Sequence, residues 1–254
     1  MVKVTNVIIE RNLAMNTDTI MLVSDYDQTF YISDEDIEKN KKEVKKFMDE
    51  GNIFVIATGR SYQDFKRKEE QYDIKYNYVI LNHGATILDN KGNIIYNFSI
   101  ENSIIDEIKK EVKLEKTIQH FCCSSLESRV DFDHTDLTKI AVTYKTEEEA
   151  MRISKILNDK YSRYIKAYFI RINSIEIISR QTNKSYAISL LMDKLGIDKK
   201  NIYTIGDGHS DIEMIKDYNG YCMRDSIEEL KKIAKDEFDS VSTLIKQVTE
   251  KKDE

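Results

Sequence analysis

Residues 20–29 read Ile-Met-Leu-Val-Ser-Asp-Tyr-Asp-Gln-Thr, a short apolar run followed directly by two carboxylates. An uninterrupted apolar run such as Ile20–Val23 is typical of a strand covered on both faces in a parallel sheet. Ligands of open α/β sheets bind beyond the carboxyl ends of the strands. Asp25 and Asp27 are therefore expected at that edge, where one carboxylate can attack phosphorus and the other can carry a proton. Taken alone, the segment is a weak signal, and a polar turn after a strand is the favoured alternative.

Three more apolar runs, each followed by a polar segment, predict further strands of the same sheet. Helices are expected between strands: Ser33 is a good N-cap before three acidic residues, and Gly51 follows the last apolar position of that segment. Strand, helix and strand in this order indicate βαβ units and an open α/β sheet. The three runs are Ile53–Ala57, Tyr78–Leu81 and Ile202–Ile205.

The pattern changes after Ala85. Asp89–Gly92 predicts a hairpin turn, and the segments that follow alternate between helical and strand-like patterns until about Ile178. This predicts an α+β insert with an antiparallel sheet, after which the α/β pattern resumes at Lys184. The resulting division is a discontinuous core of residues 19–86 and 183–254, an inserted cap of residues 87–182, and an N-terminal extension of residues 1–18.

Two further segments suit a phosphate group. Thr58-Gly59-Arg60 follows a strand and opens a helix, so that a hydroxyl, a flexible backbone and helix N–H groups come together. Lys184 begins a helix, where its charge opposes the helix dipole unless an anion lies nearby. An ordinary strand-to-helix turn and a solvated surface lysine are the alternatives.

The segment Gly206–Asp211 places two more carboxylates, Asp207 and Asp211, after a strand. Together with Asp25 and Asp27 they would repel one another strongly without a cation. Mg²⁺ takes oxygen ligands and commonly couples one or two carboxylates to a phosphate, so a magnesium site is expected. His209 lies between them, but an oxygen-rich site favours its interpretation as a loop residue.

In order, spacing and position these segments resemble the four motifs of haloacid dehalogenase (HAD) hydrolases of the Cof-like group, which carry a C2-type cap between the second and third motifs. Asn82–Ala85 is similar to the asparagine-glycine-alanine turn that enters the cap. The resemblance covers about residues 19–248 and is specific in the core. The matching residues are Asp25, Asp27 and Thr29 for motif one, Thr58, Gly59 and Arg60 for motif two, Lys184 for motif three, and Asp207 and Asp211 for motif four.

The resemblance implies a Rossmann-like core with a parallel sheet and a magnesium-dependent hydrolysis of phosphate monoesters. It implies that Asp25 is the nucleophile and forms an aspartyl-phosphate, and that Asp27 is the general acid and then the base. The substrate-binding residues would be Thr58, Gly59, Arg60, Asn82 and Lys184, of which Thr58 and Lys184 also act in catalysis. The Mg²⁺ ligands would be Asp25, Asp207, the backbone carbonyl of Asp27, and then Asp211.

Three positions depart from the family pattern without removing an essential group. Gln28 stands where motif one usually has glycine, and a long side chain there is expected to crowd the entrance. Ser210 replaces a frequent asparagine before Asp211, and Ser185 follows Lys184 where glycine is common. A shorter or lost hydrogen bond is expected at Ser210.

Composition bounds the cellular context. The formal net charge of −6 over 254 residues argues weakly against a nucleic-acid partner. Three cysteines without CxxC spacing indicate reduced thiols and a cytoplasmic location. No apolar stretch approaches the roughly 20 residues that span a bilayer. Charged residues at 10 and 11 argue against a signal peptide, so residues 1–18 are either an extension or sequence upstream of a start at Met15.

The expected partner is a small phosphorylated metabolite, with a sugar phosphate favoured because a cap encloses small ligands. No obligate protein partner is evident. A phosphomutase of the same superfamily stays open, and it would transfer phosphate without releasing it. A non-catalytic sensor of phosphorylated ligands is the alternative from another class, although the intact Asp25 and Asp27 pair argues against it. A phospho-receiver domain fits poorly, because it lacks a cap.

Overall fold

The computed structural model describes residues 18–170 and 172–250, so the extension expected at residues 1–18 lies, apart from Asp18, outside the described residues. The strands are β1 (Met21–Ser24), β2 (Ile53–Ala57), β3 (Tyr78–Leu81), β4 (Thr86–Asp89), β5 (Ile94–Asn97), β6 (Gln119–Cys123), β7 (Lys139–Thr143), β8 (Ile165–Phe169), β9 (Ser174–Ser179), β10 (Ile202–Gly206), β11 (Asn219–Met223) and β12 (Glu237–Phe238). The helices are α1 (Asp34–Asp49), α2 (Tyr62–Tyr72), α3 (Asn102–Val112), α4 (Glu147–Tyr161), α5 (Lys184–Leu195), α6 (Ile212–Asp217), α7 (Glu228–Lys231) and α8 (Val241–Glu250).

A large sheet carries the core. Its strand order is β12-β11-β10-β1-β2-β3-β4-β5, and the pairs from β12 to β3 are all parallel. All four residues of β1 are buried, as expected of a strand in the middle of a sheet with helices on both faces. This confirms the predicted α/β class with a parallel-dominated sheet.

Successive residues of β1 pack into different apolar layers, because side chains alternate across a strand. Leu22 belongs to a layer that includes residues of α1 and α8, whereas Met21 and Val23 belong to a layer that includes residues of α5 and α6. Helix α1 begins where the sequence predicts, since the Ser33 hydroxyl accepts a hydrogen bond from the Asp36 amide at 3.2 Å. In the described ranges, no helix has both the length and the apolar character needed to cross a bilayer.

Residues 102–179, called the insert below, form a second sheet with its own layer of helices. The antiparallel sheet β6-β7-β9-β8 packs with α3 and α4 around an apolar cluster of its own. The insert follows β5 and precedes α5, so the chain leaves the core once and returns to it. Cys122 and Cys123 are buried free thiols of β6, in keeping with the reduced thiols that the sequence indicates.

One hairpin lies elsewhere than expected. Asp89–Gly92 does join two strands, β4 and β5, but β4 pairs antiparallel with β3 and so extends the large sheet. The range expected for the cap, which begins at residue 87, therefore includes a hairpin whose strands belong to the core sheet. The local turn pattern predicts that two strands pair with each other, but it carries no information about the sheet edge that they join.

Candidate active site

The predicted site residues converge at one edge of the large sheet. Asp25, Thr58, Asn82 and Asp207 directly follow the carboxyl ends of β1, β2, β3 and β10, which are neighbours in the sheet. Lys184 is the first residue of α5, which begins after an N-cap at Asn183. Parallel pairing therefore brings together residues that are far apart in the chain, as ligand sites of open α/β sheets require.

Lys184 lies between two carboxylates. Its Nζ is 2.5 Å from Asp25 Oδ1 and 2.6 Å from Asp211 Oδ1, and its side chain is 1% exposed. Burial by itself would lower the pKa of Lys184, but Asp211 and Asp25 outweigh this and raise the pKa above its usual value. The lysine is therefore a fixed cation, and the surface-lysine alternative does not hold.

Asp25, Asp207 and Asp211 lie close together, and the single positive charge of Lys184 cannot neutralise all three carboxylates. Burial raises the pKa of Asp25 well above its ordinary value; Lys184 opposes this shift, and Asp211 and Asp207 add to it. The pKa of Asp207 is also raised, first by burial and then by Asp211. Thr29 donates a hydrogen bond from Oγ1 to Asp207 Oδ1 at 2.9 Å and holds that side chain toward the others. Both shifts indicate that an additional cation would be favoured here.

Asp25, Asp207 and Asp211 each offer a carboxylate oxygen, and these atoms lie within 4.8 Å of one another. An all-oxygen set fits Mg²⁺. The three residues are not equally available, because both oxygens of Asp211 are engaged: Oδ1 by Lys184, and Oδ2 by the backbone N–H groups of Asp207 and Gly208 at 3.1 and 3.0 Å. Asp25 and Asp207 are therefore better placed to donate an oxygen to a metal than Asp211 is.

The Asp27 side chain faces a different partner. Arg60 binds it with two hydrogen bonds, Nε to Oδ2 at 2.8 Å and Nη2 to Oδ1 at 2.7 Å. The guanidinium also lies over the Tyr26 ring, 5.3 Å from its centroid. Arg60 was predicted to bind substrate; in this structure its paired N–H groups are directed to Asp27 instead.

The segment Thr58–Arg60, called the phosphate loop below, is held by backbone contacts to the turn after β3. Asn82 N donates to Arg60 O, and His83 N donates to Thr58 O, each at 3.0 Å. The buried Asn82 side chain donates to Thr138 Oγ1 at 3.0 Å, so its amide nitrogen contacts the segment leading into β7 and not the carboxylates. Asn82 thus supports the loop through its backbone.

Gly59 is required by close packing. A Cβ atom at this position would lie 2.3 Å from the nearest atom of the His83 ring, far inside van der Waals contact. The glycine that the sequence suggested for flexibility is therefore required sterically by His83, which lies in the connection between β3 and β4.

Three charged or polar residues of the site were missed by sequence analysis. Lys139 Nζ is 2.6 Å from Gly59 O and 2.8 Å from Glu176 Oε1, and Glu176 also bonds the His83 ring. Burial would raise the pKa of Glu176, but Lys139 and His83 lower it to about 2. The sequence does hold one signal for this cluster, since Glu176 interrupts the otherwise apolar run of β9.

A cleft of about 480 Å³ joins these groups. The core side carries the predicted catalytic residues Asp25, Asp27 and Thr58, and also His209 and Ser210. His209 lines the cleft but does not belong to the group of three possible metal ligands found among the described residues. The insert side contributes both polar and apolar groups. The insert residues that line the cleft are Phe121, Lys139, Phe169, Ile170 and Glu176. Ile170 lies in the connection between β8 and β9.

A profile of the haloacid dehalogenase-like hydrolases matches residues 22–134 and 123–243, together most of the chain. The protein is therefore a hydrolase of the phosphatase type, and the chain belongs to the haloacid dehalogenase-like family. A candidate HAD/COF-like hydrolase from Plasmodium vivax has the same fold, with a TM-score of 0.78 at 17% identity over 92% of this chain and 96% of that one.

Other relatives agree. A candidate phosphatase of Buchnera aphidicola subsp. Baizongia pistaciae is 26% identical, with 91% of this chain and 99% of the relative covered. The 5-amino-6-(5-phospho-D-ribitylamino)uracil phosphatase of Bacillus subtilis is 23% identical over 80% of this chain and 82% of its own length. A haloacid dehalogenase-like hydrolase structure from B. subtilis superposes with a TM-score of 0.79 at 18% identity, covering 91% of this chain and 100% of that one. The family and the enzyme class expected from the motifs are confirmed.

Proposed function

We propose that this enzyme hydrolyses a small phosphorylated metabolite in two steps, with Mg²⁺ bound and with Asp25 as the nucleophile. The observation that carries the proposal is the buried contact between Asp25 and Lys184 at the carboxyl end of β1, beside the phosphate loop. A carboxylate held by a fixed cation at the edge of a phosphate-sized pocket is suited to attack phosphorus. Burying an ion pair costs desolvation free energy, so a buried pair of this kind is expected where it takes part in a reaction.

In the first step an oxygen of Asp25 attacks phosphorus, and the ester bond to the leaving group breaks. Asp27 gives its proton to the departing oxygen. In the second step water attacks the aspartyl-phosphate, Asp27 takes the proton of the water, and Asp25 and inorganic phosphate are released. Lys184 and the Thr58 hydroxyl hold the phosphoryl oxygens through both steps. Bound Mg²⁺ would supply charge neutralisation at the phosphoryl group.

The residues that would hold the metal are Asp25, Asp207 and the backbone carbonyl of Asp27. Asp211 would act mainly by orienting Lys184 and the backbone of residues 207 and 208, because both of its oxygens are already engaged.

The proton-carrying role of Asp27 requires a change of partner. Its carboxylate is paired with Arg60 and partly exposed, whereas it must reach the ester oxygen during the reaction. A phosphoester dianion in the cleft would compete for the guanidinium and so release Asp27. Arg60 would then bind the substrate, as the sequence suggested, only after binding has begun.

The leaving group is expected to be a sugar or polyol of small size, and one with an apolar or planar part fits the cleft best. The insert side offers Lys139 and Glu176 for hydroxyl groups, and Phe121, Phe169 and Ile170 for an apolar face. The B. subtilis relative named above acts on a phosphorylated ribityl chain attached to a uracil ring, which combines both characters.

A panel of phosphorylated metabolites with detection of free phosphate tests the proposal. We expect Mg²⁺-dependent phosphate release from sugar and polyol phosphates, and none from the Asp25→Asn variant, whose folding is checked by thermal unfolding. Recovery of a phosphate isomer without free phosphate would favour a phosphomutase. Phosphate release by Asp25→Asn equal to that of the wild type would contradict the proposal.

A further inference from the structure

We propose that Lys139 of the insert is a positioning residue for the phosphate loop, and that it orients the Thr58 hydroxyl through the peptide group between Gly59 and Arg60. The part of this inference that concerns phosphate rests on the proposed function. The geometric part stands on contacts alone.

The contact of Lys139 with the loop is buried and direct. Its side chain is 3% exposed, and its Nζ donates to the Gly59 carbonyl oxygen at 2.6 Å. Eighty positions separate the two residues in the chain, so the bond joins the insert to the core. An ammonium group donating to a carbonyl is a charge-assisted hydrogen bond, about twice as strong as a neutral one.

The consequence for Thr58 follows from peptide geometry. The Gly59 carbonyl and the Arg60 N–H belong to one planar peptide group, so fixing the first fixes the direction of the second. The Arg60 N–H donates to Thr58 Oγ1 at 3.1 Å. A hydroxyl oxygen that accepts this bond keeps its own proton available as a donor. Lys139 thus acts at a distance on the group proposed to hold a phosphoryl oxygen.

Glu176 and His83 hold Lys139 and the loop in register. Glu176 bridges the two, with one carboxylate oxygen on Lys139 and the other on the His83 ring. The ring lies against Gly59, and the backbone N–H of His83, whose φ is 57°, donates a hydrogen bond to Thr58 O. Burial lowers the pKa of His83 despite Glu176, so the neutral ring is favoured.

A second ion pair between the insert and the core provides a control. Lys166 of β8 pairs with Glu213 of α6, and neither residue lines the cleft that contains the phosphate loop. Lys166→Met therefore removes another, more exposed ion pair between insert and core and leaves the hydrogen bond from Lys139 to Gly59 O in place. If Lys139 acts only by holding the insert against the core, the Lys139→Met and Lys166→Met variants should show the same effects.

The test compares Lys139→Met, Lys139→Arg and Lys166→Met in the full chain. Lys139→Met leaves Glu176 as a buried charge without its lysine. The double variant Lys139→Met with Glu176→Gln is therefore included, because it removes both charges and keeps the net charge of the insert unchanged. The first readout is amide hydrogen exchange of Arg60, measured by NMR without ligand. The second is binding of inorganic phosphate with Mg²⁺ present, measured by calorimetry.

We expect faster exchange of the Arg60 amide and about tenfold weaker phosphate binding in Lys139→Met and in the double variant, since about one hydrogen bond is lost. Lys139→Arg should recover much of both, and Lys166→Met should change neither. The inference would be overturned by equal effects in Lys139→Met and Lys166→Met, or by an unchanged hydrogen-exchange rate of the Arg60 amide in Lys139→Met. If the wild type binds no phosphate, the proposed function fails, while the Arg60 amide still decides the role of Lys139.

Discussion

Asp25 and Asp27 are two residues apart but are held by different cations. Lys184 fixes Asp25 in a buried pair, whereas Arg60 binds Asp27 at a partly exposed position. A buried partner fixes the direction of attack, and an exposed partner can be exchanged. The two aspartates therefore suit different tasks, a fixed nucleophile and a movable proton carrier.

Substitution of the two aspartates should separate these tasks. Asp25→Asn cannot form a phosphoenzyme with any substrate. Asp27→Asn should lose about a hundred- to ten-thousand-fold in the first step with a sugar phosphate, whose alkoxide needs an acid. With an aryl phosphate, whose phenolate leaves largely unaided, the same variant should release one burst of phenolate and then stall.

Stopped-flow absorbance and intact-protein mass spectrometry after acid quench would measure this. One added phosphoryl group is expected on Asp27→Asn and none on Asp25→Asn. The assignment is wrong if the added group appears on Asp25→Asn, or if Asp27→Asn loses the same factor on both substrates without a burst.

Gln28 occupies a backbone conformation with φ of 63°, which explains why glycine suits this position. A left-handed residue other than glycine costs about 1–2 kcal/mol, part of which glycine recovers. Gln28→Gly should therefore keep or raise the free energy of unfolding in urea. Gln28→Val, with a branched Cβ, should lower it, and a loss of stability in the glycine variant above that of the valine variant would contradict the strain.

At the scale of elements, the phosphate loop after β2 packs against the turn after β3. Gly59→Ala places a Cβ 2.3 Å from the nearest atom of the His83 ring and should lower the free energy of unfolding by about 1–3 kcal/mol. His83→Gly makes room and tolerates the positive φ of that position. The double variant should therefore be more stable than the sum of the two single effects predicts.

Gly208→Ala is the matched control, because the nearest atom to its added Cβ lies at an ordinary 3.9 Å. We expect it to change stability less than Gly59→Ala does. Urea unfolding of the four variants gives the coupling energy. Additive effects of Gly59→Ala and His83→Gly would show that the ring does not set the requirement for glycine.

At the scale of the whole molecule, the carboxylate cluster should make activity depend on Mg²⁺. A chelator should abolish turnover, and added Mg²⁺ should restore it. Ca²⁺ should inhibit, since its larger and looser coordination misplaces the nucleophile. Phosphate release after dialysis and readdition of each ion measures this, and full activity in excess chelator would contradict the expectation.

The insert should also limit the substrate by size. Its residues Lys139 and Phe169 line the same cleft as Asp25, so the insert is expected to keep a bulky surface from the proposed nucleophile. The kcat/KM for a sugar phosphate should exceed that for a folded phosphoprotein by several orders of magnitude. Comparable values for the two would mean that the insert does not enclose the site.

Much of the core could be predicted from the sequence, because its signals are local. An apolar run followed by a carboxylate identifies β1 and Asp25, and Ser33 identifies the start of α1. The order of strands and helices then places Thr58 and Asp207 at the same edge, since parallel strands present their carboxyl ends together. These predictions depend on the chain direction and on periodicity of a few residues.

Only the tertiary structure decided the partners of these residues. Arg60 meets Asp27 across 33 positions, Lys139 meets Gly59 across 80, and His83 meets Glu176 across 93. The edge that β4 joins was likewise decided by its pairing with β3. Composition and periodicity determined which elements form and which groups reach the site; the contacts between elements determined which charge neutralises which, because electrostatic and steric effects act through space and not along the chain.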